Sequence, residues 1–207
     1  SLAEQFGVNR HTLRRAVDEL ISVGMVERLH GIGIFVSEKQ IDYKLQSKTR
    51  FTQTLHDLGM STNCDVVKNV VIEAPKGIAD ALGLQPRSNV LWIETLRYAD
   101  EVPLCLISHF LPFSPFGEYL VNYQGGSLHE ALTDQFGPLQ RRESLVTAVV
   151  ASEEDAKMLR VMYNQPVLRV KSLNVLEENE TPVEYAITRF RADMIQLRID
   201  LKEKPIS

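Results

Sequence analysis

The stretch "VNRHTLRRAVDEL", Val8 to Leu20, decides how this chain is read. It gathers Arg10, His11, Arg14 and Arg15 at one end and then settles into an apolar stripe. A solvated surface helix spreads its charge along its length; one that collects cations at its start presents them to something anionic. Asn9 is a suitable N-cap. Leu13, Ala16, Val17, Leu20 and Ile21 follow the spacing of one helical face and are expected to be buried. Arg10 and Arg14 lie one turn apart on the opposite face, with His11, Thr12 and Arg15 beside them. Upstream, "SLAEQF" reads as a short helix with Leu2, Ala3 and Phe6 on one side, ended by Gly7. Residue 1 falls inside that helix, so the chain is expected to continue upstream and the module to be incomplete at its start. Downstream, Gly24 ends the second helix. "MVERLHGIGIFV", Met25 to Val36, then alternates into a strand, a turn at Gly31 and Gly33, and a second strand.

Helix, tight turn, helix and hairpin together spell a winged helix-turn-helix. An arginine at the exposed start of its second helix can fork onto guanine O6 and N7 while its neighbours clamp phosphates. The bland alternative, an αα-hairpin with a solvated basic edge, does not account for the attached wing. The net charge of −4 over 207 residues gives no global basic field, so a local patch must hold any operator. At 44% hydrophobic, the chain can bury one substantial core and a smaller satellite. Cys64 and Cys105 sit in separate apolar stretches and read as buried free thiols of a reducing cytoplasm, not as a disulfide or metal pair. No signal peptide opens the chain and no apolar run is long enough to span a membrane, which points to a cytoplasmic protein.

The polar connector "SEKQIDYKLQSK" separates this module from an α+β remainder. The expected division is 1–37 for the winged helix, 38–50 for the linker and 51–207 for the second domain. Strands are expected at Val66–Ile72, Val90–Tyr98, Val102–Leu111, Leu145–Val150, Val167–Leu176 and Val183–Phe190, with Leu197–Leu201 as a last edge. Helices fit Thr52–Leu58, Lys76–Leu82, Ser127–Phe136 and Glu153–Val161. Ser127 with Glu130 forms a capping box, Gly137 ends that helix, and Ser152 caps the next. Short acidic tips between consecutive strands imply antiparallel hairpins.

Motifs of enzymes are missing: there is no G-x-S-x-G, no H-E-x-x-H and no phosphate-cradling glycine loop. The five histidines are scattered, which argues against metal ligation, and no cofactor is implied. What stands out is arginine in strands expected to be half-buried: Arg97 beside Thr95, Arg141 and Arg142, Arg189 and Arg191. Either these are solvated sheet faces, with Arg97 pairing Glu94 or Glu184, or several converge on an anion. Register decides which residues can meet. A three-residue tip, Ala99–Glu101, sets Arg97 and Thr95 on one face with Cys105, Ile107 and His109; a two-residue tip sends His109 to the other side. We favour three.

"VNRHTLRRAVDELISVGMVERLHGIGIFV" resembles the DNA-binding domain of the GntR family of bacterial regulators. The family pattern runs Arg-x-Thr-Val/Leu-Arg-x-Ala, then Gly-Leu-Val, then Arg-x-x-Gly-x-Gly-Thr-Phe-Val. The resemblance places DNA contacts on Arg10, Thr12, Arg14 and the wing around His30 and Gly31, with Ile34 where the family usually has Thr. From Phe51 to Leu201, "LRYADEVPLCLISHFLP", "GSLHEALTDQFG" and "TPVEYAITRFRADMI" resemble the effector-binding domain of the family's HutC-type branch, a fold shared with chorismate lyase. Sugar-phosphate sensors of that branch hold phosphate on a Phe-Thr helix start, an arginine pair and a helix-opening Ser. That assigns Arg50, Phe51, Thr52, Arg97 and Ser127 here, with Thr95 replacing the first arginine. Glu184 survives in "VEY", whereas Ile107 replaces a second acid; His129 and Tyr185 fall within the same motifs. The resemblance implies a ligand-responsive repressor, homodimeric on operator DNA, sensing a small phosphate- or phosphonate-like anion. An enzyme that kept the chorismate-lyase-like fold, acting on a small carboxylate or ester, is the alternative.

Overall fold

The computed structural model describes residues 2–22, 25–29, 32–36, 40–46 and 61–199. The expectations placed on His30, Gly31, Arg50, Phe51, Thr52 and the helix Thr52–Leu58 lie outside these described residues.

At the start, α1 (Leu2–Gln5) turns at Gly7, φ 62°, into α2 (Arg10–Ser22). Asn9 Oδ1 accepts from Thr12 N at 2.7 Å, the N-cap expected of it. A two-stranded wing follows, β1 (Val26–Leu29) antiparallel to β2 (Gly33–Val36), and Arg28 Nη2 ties it to α2 by donating to Asp18 Oδ1 at 2.6 Å. The apolar stripe of α2 is not buried as expected: Leu13, Val17, Leu20 and Ile21 are half-covered and Ala16 is exposed. Among the described residues, α1 and the hairpin cover it only in part.

The second region is built on a six-stranded antiparallel sheet, order β4-β5-β6-β9-β8-β7. Its strands are β4 (Thr62–Glu73), β5 (Asn89–Ala99), β6 (Val102–Pro112), β7 (Leu139–Val150), β8 (Pro166–Leu176) and β9 (Pro182–Arg191). Strand β7 starts well before the expected Leu145 because a bulge between Arg141 and Glu143 carries the charged run into the ladder. Among the described residues, the longer helices of this region are α3 (Lys76–Leu82), α4 (Leu128–Phe136) and α5 (Glu153–Leu159), with short helical turns over Phe113–Gly117 and Glu118–Leu120. The caps follow the expectation, with Ser127 Oγ accepting from Glu130 N at 3.2 Å and Ser152 Oγ from Asp155 N at 3.0 Å.

The β5–β6 tip has two residues, Asp100 and Glu101, both at positive φ, and not the three we favoured. Asp100 is anchored there because its Oδ1 accepts from Ser61 N and Ser61 Oγ. A bulge at Leu104 then restores the pairing Arg97 with Cys105, so Arg97, Thr95, Ile107 and His109 still share one face. The expected facing was right for a different reason.

Two elements cover that face. α4 and the chain leading into it pack over Leu91, Ile93 and Leu111. At the other end lies a strand missed in the sequence: β3 (Ile41–Lys44), inside the stretch read as linker, runs parallel to β10 (Ile195–Arg198) outside the main sheet, and β10 begins two residues before the edge strand expected from Leu197. Ile41, Tyr43 and Ile195 bury against Ala99, Cys105 and Phe190. Each such side chain removed from water is worth about 1.5–3 kcal/mol. The opposite face carries α3 and α5.

Candidate functional site

Antiparallel partners project to the same side, so the sheet lines up its polar residues in rows. Arg141, Asn174 and Glu184 form one row; His109 with Ala186, and Thr95 with Ile107 and Thr188, form the next two. Arg97, Cys105 and Phe190 form a fourth. Above these rows, between α4 and the β3–β10 pair, is a cavity of about 90 Å³. Ser127, Leu128 and His129 reach it from the start of α4 and Tyr43 from β3.

A buried chain of hydrogen bonds forms its floor. Thr95 Oγ1 lies 3.1 Å from His109 Nε2, His109 Nδ1 contacts Glu184 Oε1, and Asn174 Nδ2 donates to Glu184 Oε2 at 2.6 Å. Burial pushes the Glu184 carboxyl up, but the charge of His109 and the hydrogen bonds from His109 and Asn174 outweigh it, leaving the group below its ordinary value. Arg97 is buried and its Nη2 donates to Gly126 O at 3.1 Å, which is also the acceptor for Tyr123 Oη at 2.8 Å. Arg141 Nη1 donates to Gln46 O at 3.3 Å, while its buried Nε has no hydrogen-bond partner among the described residues. The cavity therefore collects two guanidinium groups, two imidazoles and a helix start, against one carboxylate already engaged by His109. Such a site attracts an anion.

The structure sorts the expected residues. Arg97, His109, Ser127, His129, Arg141 and Glu184 line the cavity together, and Thr95 supports His109 from below. Arg142 does not: it is exposed at the bulge. Tyr185 does not either, since it alternates with Glu184 and joins Trp92 and Phe110 on the other face. Arg189 and Arg191 are likewise elsewhere. Arg189 Nη2 meets Glu94 Oε1 at 2.7 Å and its Nε lies 2.8 Å from Asp155 Oδ1, an ion-pair contact outside hydrogen-bond angles. Arg191 is clamped by Asp193. With Glu94 taken by Arg189 and Ser108, and Glu184 by His109 and Asn174, neither carboxylate is the in-sheet partner considered for Arg97. Tyr43, Asn174 and Thr188 were missed. The alternation of Ile41, Tyr43 and Leu45 with charged residues was the available signal for the first. Cys105 is fully buried, its thiol pushed up to about 12 by burial, whereas Cys64 is only half-buried, contrary to the expectation for both.

In the first region Arg10, His11, Thr12, Arg14 and Arg15 are all exposed on α2, and Arg10, Arg14 and Arg28 line a groove between α2 and the wing.

Residues 1–36 match the family of bacterial regulatory proteins, gntR family, and residues 57–196 match the UTRA domain. The chain belongs to the GntR family and carries a UTRA domain. It is similar to "Probable transcriptional regulator PhnF" of Escherichia coli (strain K12), 36% identical over 96% of this chain and 83% of that protein. It is also similar to the "HTH-type transcriptional repressor NagR" of Bacillus subtilis (strain 168), 30% identical over 92% of this chain and 79% of that one. Among solved structures, PhnF from Mycobacterium smegmatis shares the fold at a TM-score of 0.74 and 22% identity, covering 98% of this chain and 89% of that chain. A PhnF C-terminal domain matches at a TM-score of 0.64 and 30% identity, over 78% of this chain and 97% of that one. This GntR-family chain is therefore a transcriptional regulator and not an enzyme of the chorismate-lyase-like fold. Regulators of this family bind operator DNA and small-molecule effectors. Among the described residues no helix is long and apolar enough to cross a membrane.

Proposed function

We propose that this regulator is a cytoplasmic repressor whose effector is a small phosphate- or phosphonate-like anion. The observation that carries the reading is the cavity itself: Arg97, Arg141, His109 and His129 face it beside the capped start of α4, and its carboxylate, Glu184, is engaged by His109. The name of the Escherichia coli relative and that of the Bacillus subtilis repressor support the choice of role. Arg97 supplies a planar fork matched to tetrahedral oxygens, and Arg141 a second. Tyr43, Ile107, Leu128 and Phe190 leave room for a small apolar substituent. In this reading Arg50, Phe51 and Thr52 complete the site, and Arg10, His11, Thr12, Arg14 and Arg15 with His30 and Gly31 contact DNA.

The division into 1–37, 38–50 and 51–207 goes with it, the linker contributing β3 to the second domain. One winged module binds weakly alone, so the active species is a homodimer joined through the second domain. Light scattering on residues 40–207 would give a dimer, and a monomer there would move the interface to the first domain. Calorimetric titration of phosphate and methylphosphonate into wild type and Arg97→Ala tests the effector. The expected result is binding to wild type and a loss of about tenfold or more in the variant, as for a hydrogen bond to a charged group. A folded variant binding as well as wild type would place the anion elsewhere.

A further inference from the structure

Strand β3 belongs to two places at once. Three residues lie between the end of the wing at Val36 and Gln40, where the strap begins, so the two Cα atoms are at most roughly 14 Å apart. From there the strap is fastened on its outer side: Gln40 Nε2 donates to Ala192 O at 3.2 Å, Ile41 N to Met194 O at 2.7 Å and Leu45 N to Arg198 O at 2.9 Å. Asp42 adds contacts with Gln196 and Arg198. On its inner side it forms a wall of the cavity. Tyr43 is 4% exposed, lines the cavity, and sets its ring 5.3 Å from that of Phe190. Just beyond the strand, Gln46 O accepts from Arg141, the same guanidinium whose buried Nε has no hydrogen-bond partner among the described residues.

That last contact is long for an N–H···O bond. An anion in the cavity offers Arg141 a partner of opposite charge in place of a neutral carbonyl, which adds coulombic attraction and a bidentate fit to the hydrogen bond. Resting on the anion reading above, we propose that Tyr43 is a ligand-contacting residue and that the β3–β10 strap couples cavity occupancy to the DNA-binding region, with Arg141–Gln46 as the latch the anion competes for. The ligand then acts on the very segment that leads into the wing. Because coupling free energy is reciprocal, operator DNA must change the affinity for the anion by the same factor as the anion changes that for the operator.

The test uses the full chain and does not depend on knowing the ligand. Arg141→Met removes the latch while keeping the side chain's length; Arg142→Met, exposed at the neighbouring position, is the control. Amide hydrogen exchange over residues 40–46 and operator affinity are measured on both. The expected result for Arg141→Met is faster exchange in the strap together with a change in operator affinity of about fivefold or more, the low end of ordinary allosteric coupling, and neither effect in Arg142→Met. Unchanged strap exchange, or a loosened strap with operator affinity within twofold of wild type, would overturn the proposal. Tyr43→Leu provides a second route: it keeps an apolar wall but removes the ring, and the strap reading requires it to shift operator affinity as well. Methylphosphonate added to wild type should alter exchange over the same residues. Failure of any phosphate or methylphosphonate to bind would sink the anion reading alone, since the Arg141→Met result still decides the strap.

Discussion

The two faces of the six-stranded sheet both hold buried charge, yet they use it differently. On the face carrying α3 and α5, Arg189 is enclosed by Glu94, Asp155 and Ser108, every charged member meeting an opposite or polar partner within 3.1 Å. On the other face, the His109–Glu184 pair is closed in the same way, while Arg97 and Arg141 line a cavity and each donates to a backbone carbonyl, Gly126 O and Gln46 O. A guanidinium surrounded by carboxylates fastens elements together. One that lines a cavity is where, in the reading proposed above, an anion from outside is held. Residue type is the same; the company it keeps separates architecture from recognition.

The largest effect should come from breaking the closed side. Arg189→Met leaves buried Glu94 and half-buried Asp155 without their cation and is expected to cost about 3–5 kcal/mol in urea unfolding. Arg141→Met on the open side should cost under about 1 kcal/mol, as for an interaction near the surface. Equal losses would erase the distinction between the faces. Next in size is Glu184, whose folded value lies below its ordinary 4.5. A depressed carboxyl contributes stability that is present above pH 4.5 and is lost as pH falls through its folded value. Glu184→Gln is expected to lose about 1.5–3 kcal/mol near pH 7 from weakened hydrogen bonds to a charged group. Its acid unfolding curve should be flatter than that of wild type; a parallel curve would show that Glu184 does not titrate there. The smallest expected effect concerns an arginine on neither face. Arg14→Ala should leave unfolding unchanged and weaken specific operator binding by about 1–3 kcal/mol. Mobility shifts on operator and scrambled DNA check it, since equal weakening on both would make Arg14 a phosphate contact.

What could be read from the chain in advance follows from how local the cause is. Asn9, Ser127 and Ser152 cap their helices through bonds that span three residues, so the local sequence suffices. The meeting of Arg97 and Ser127 at one cavity was legible once both were placed on one side. The bulges at Leu104 and between Arg141 and Glu143 were not, because a bulge is selected by the partner strand and the rim it serves. Without them, Arg141 could not be separated from Arg142. Strand β3 was hidden because its partner lies more than 150 residues away, and charged neighbours made its short alternation look like a linker.

That separation has a kinetic meaning. Parallel pairing of Ile41 with Ile195 closes a loop that contains the whole six-stranded sheet. Loop-closure entropy is recovered most slowly by contacts of this span, so the strap should be the last ladder to acquire protected amides during refolding, as pulse-labelled exchange can check. During synthesis the wing emerges long before Ile195 does, and domains fold from the N-terminal side as the chain appears. Through that interval the DNA-binding region exists without its fastening. Docking of the final strand is then the step that brings it under the control of the cavity.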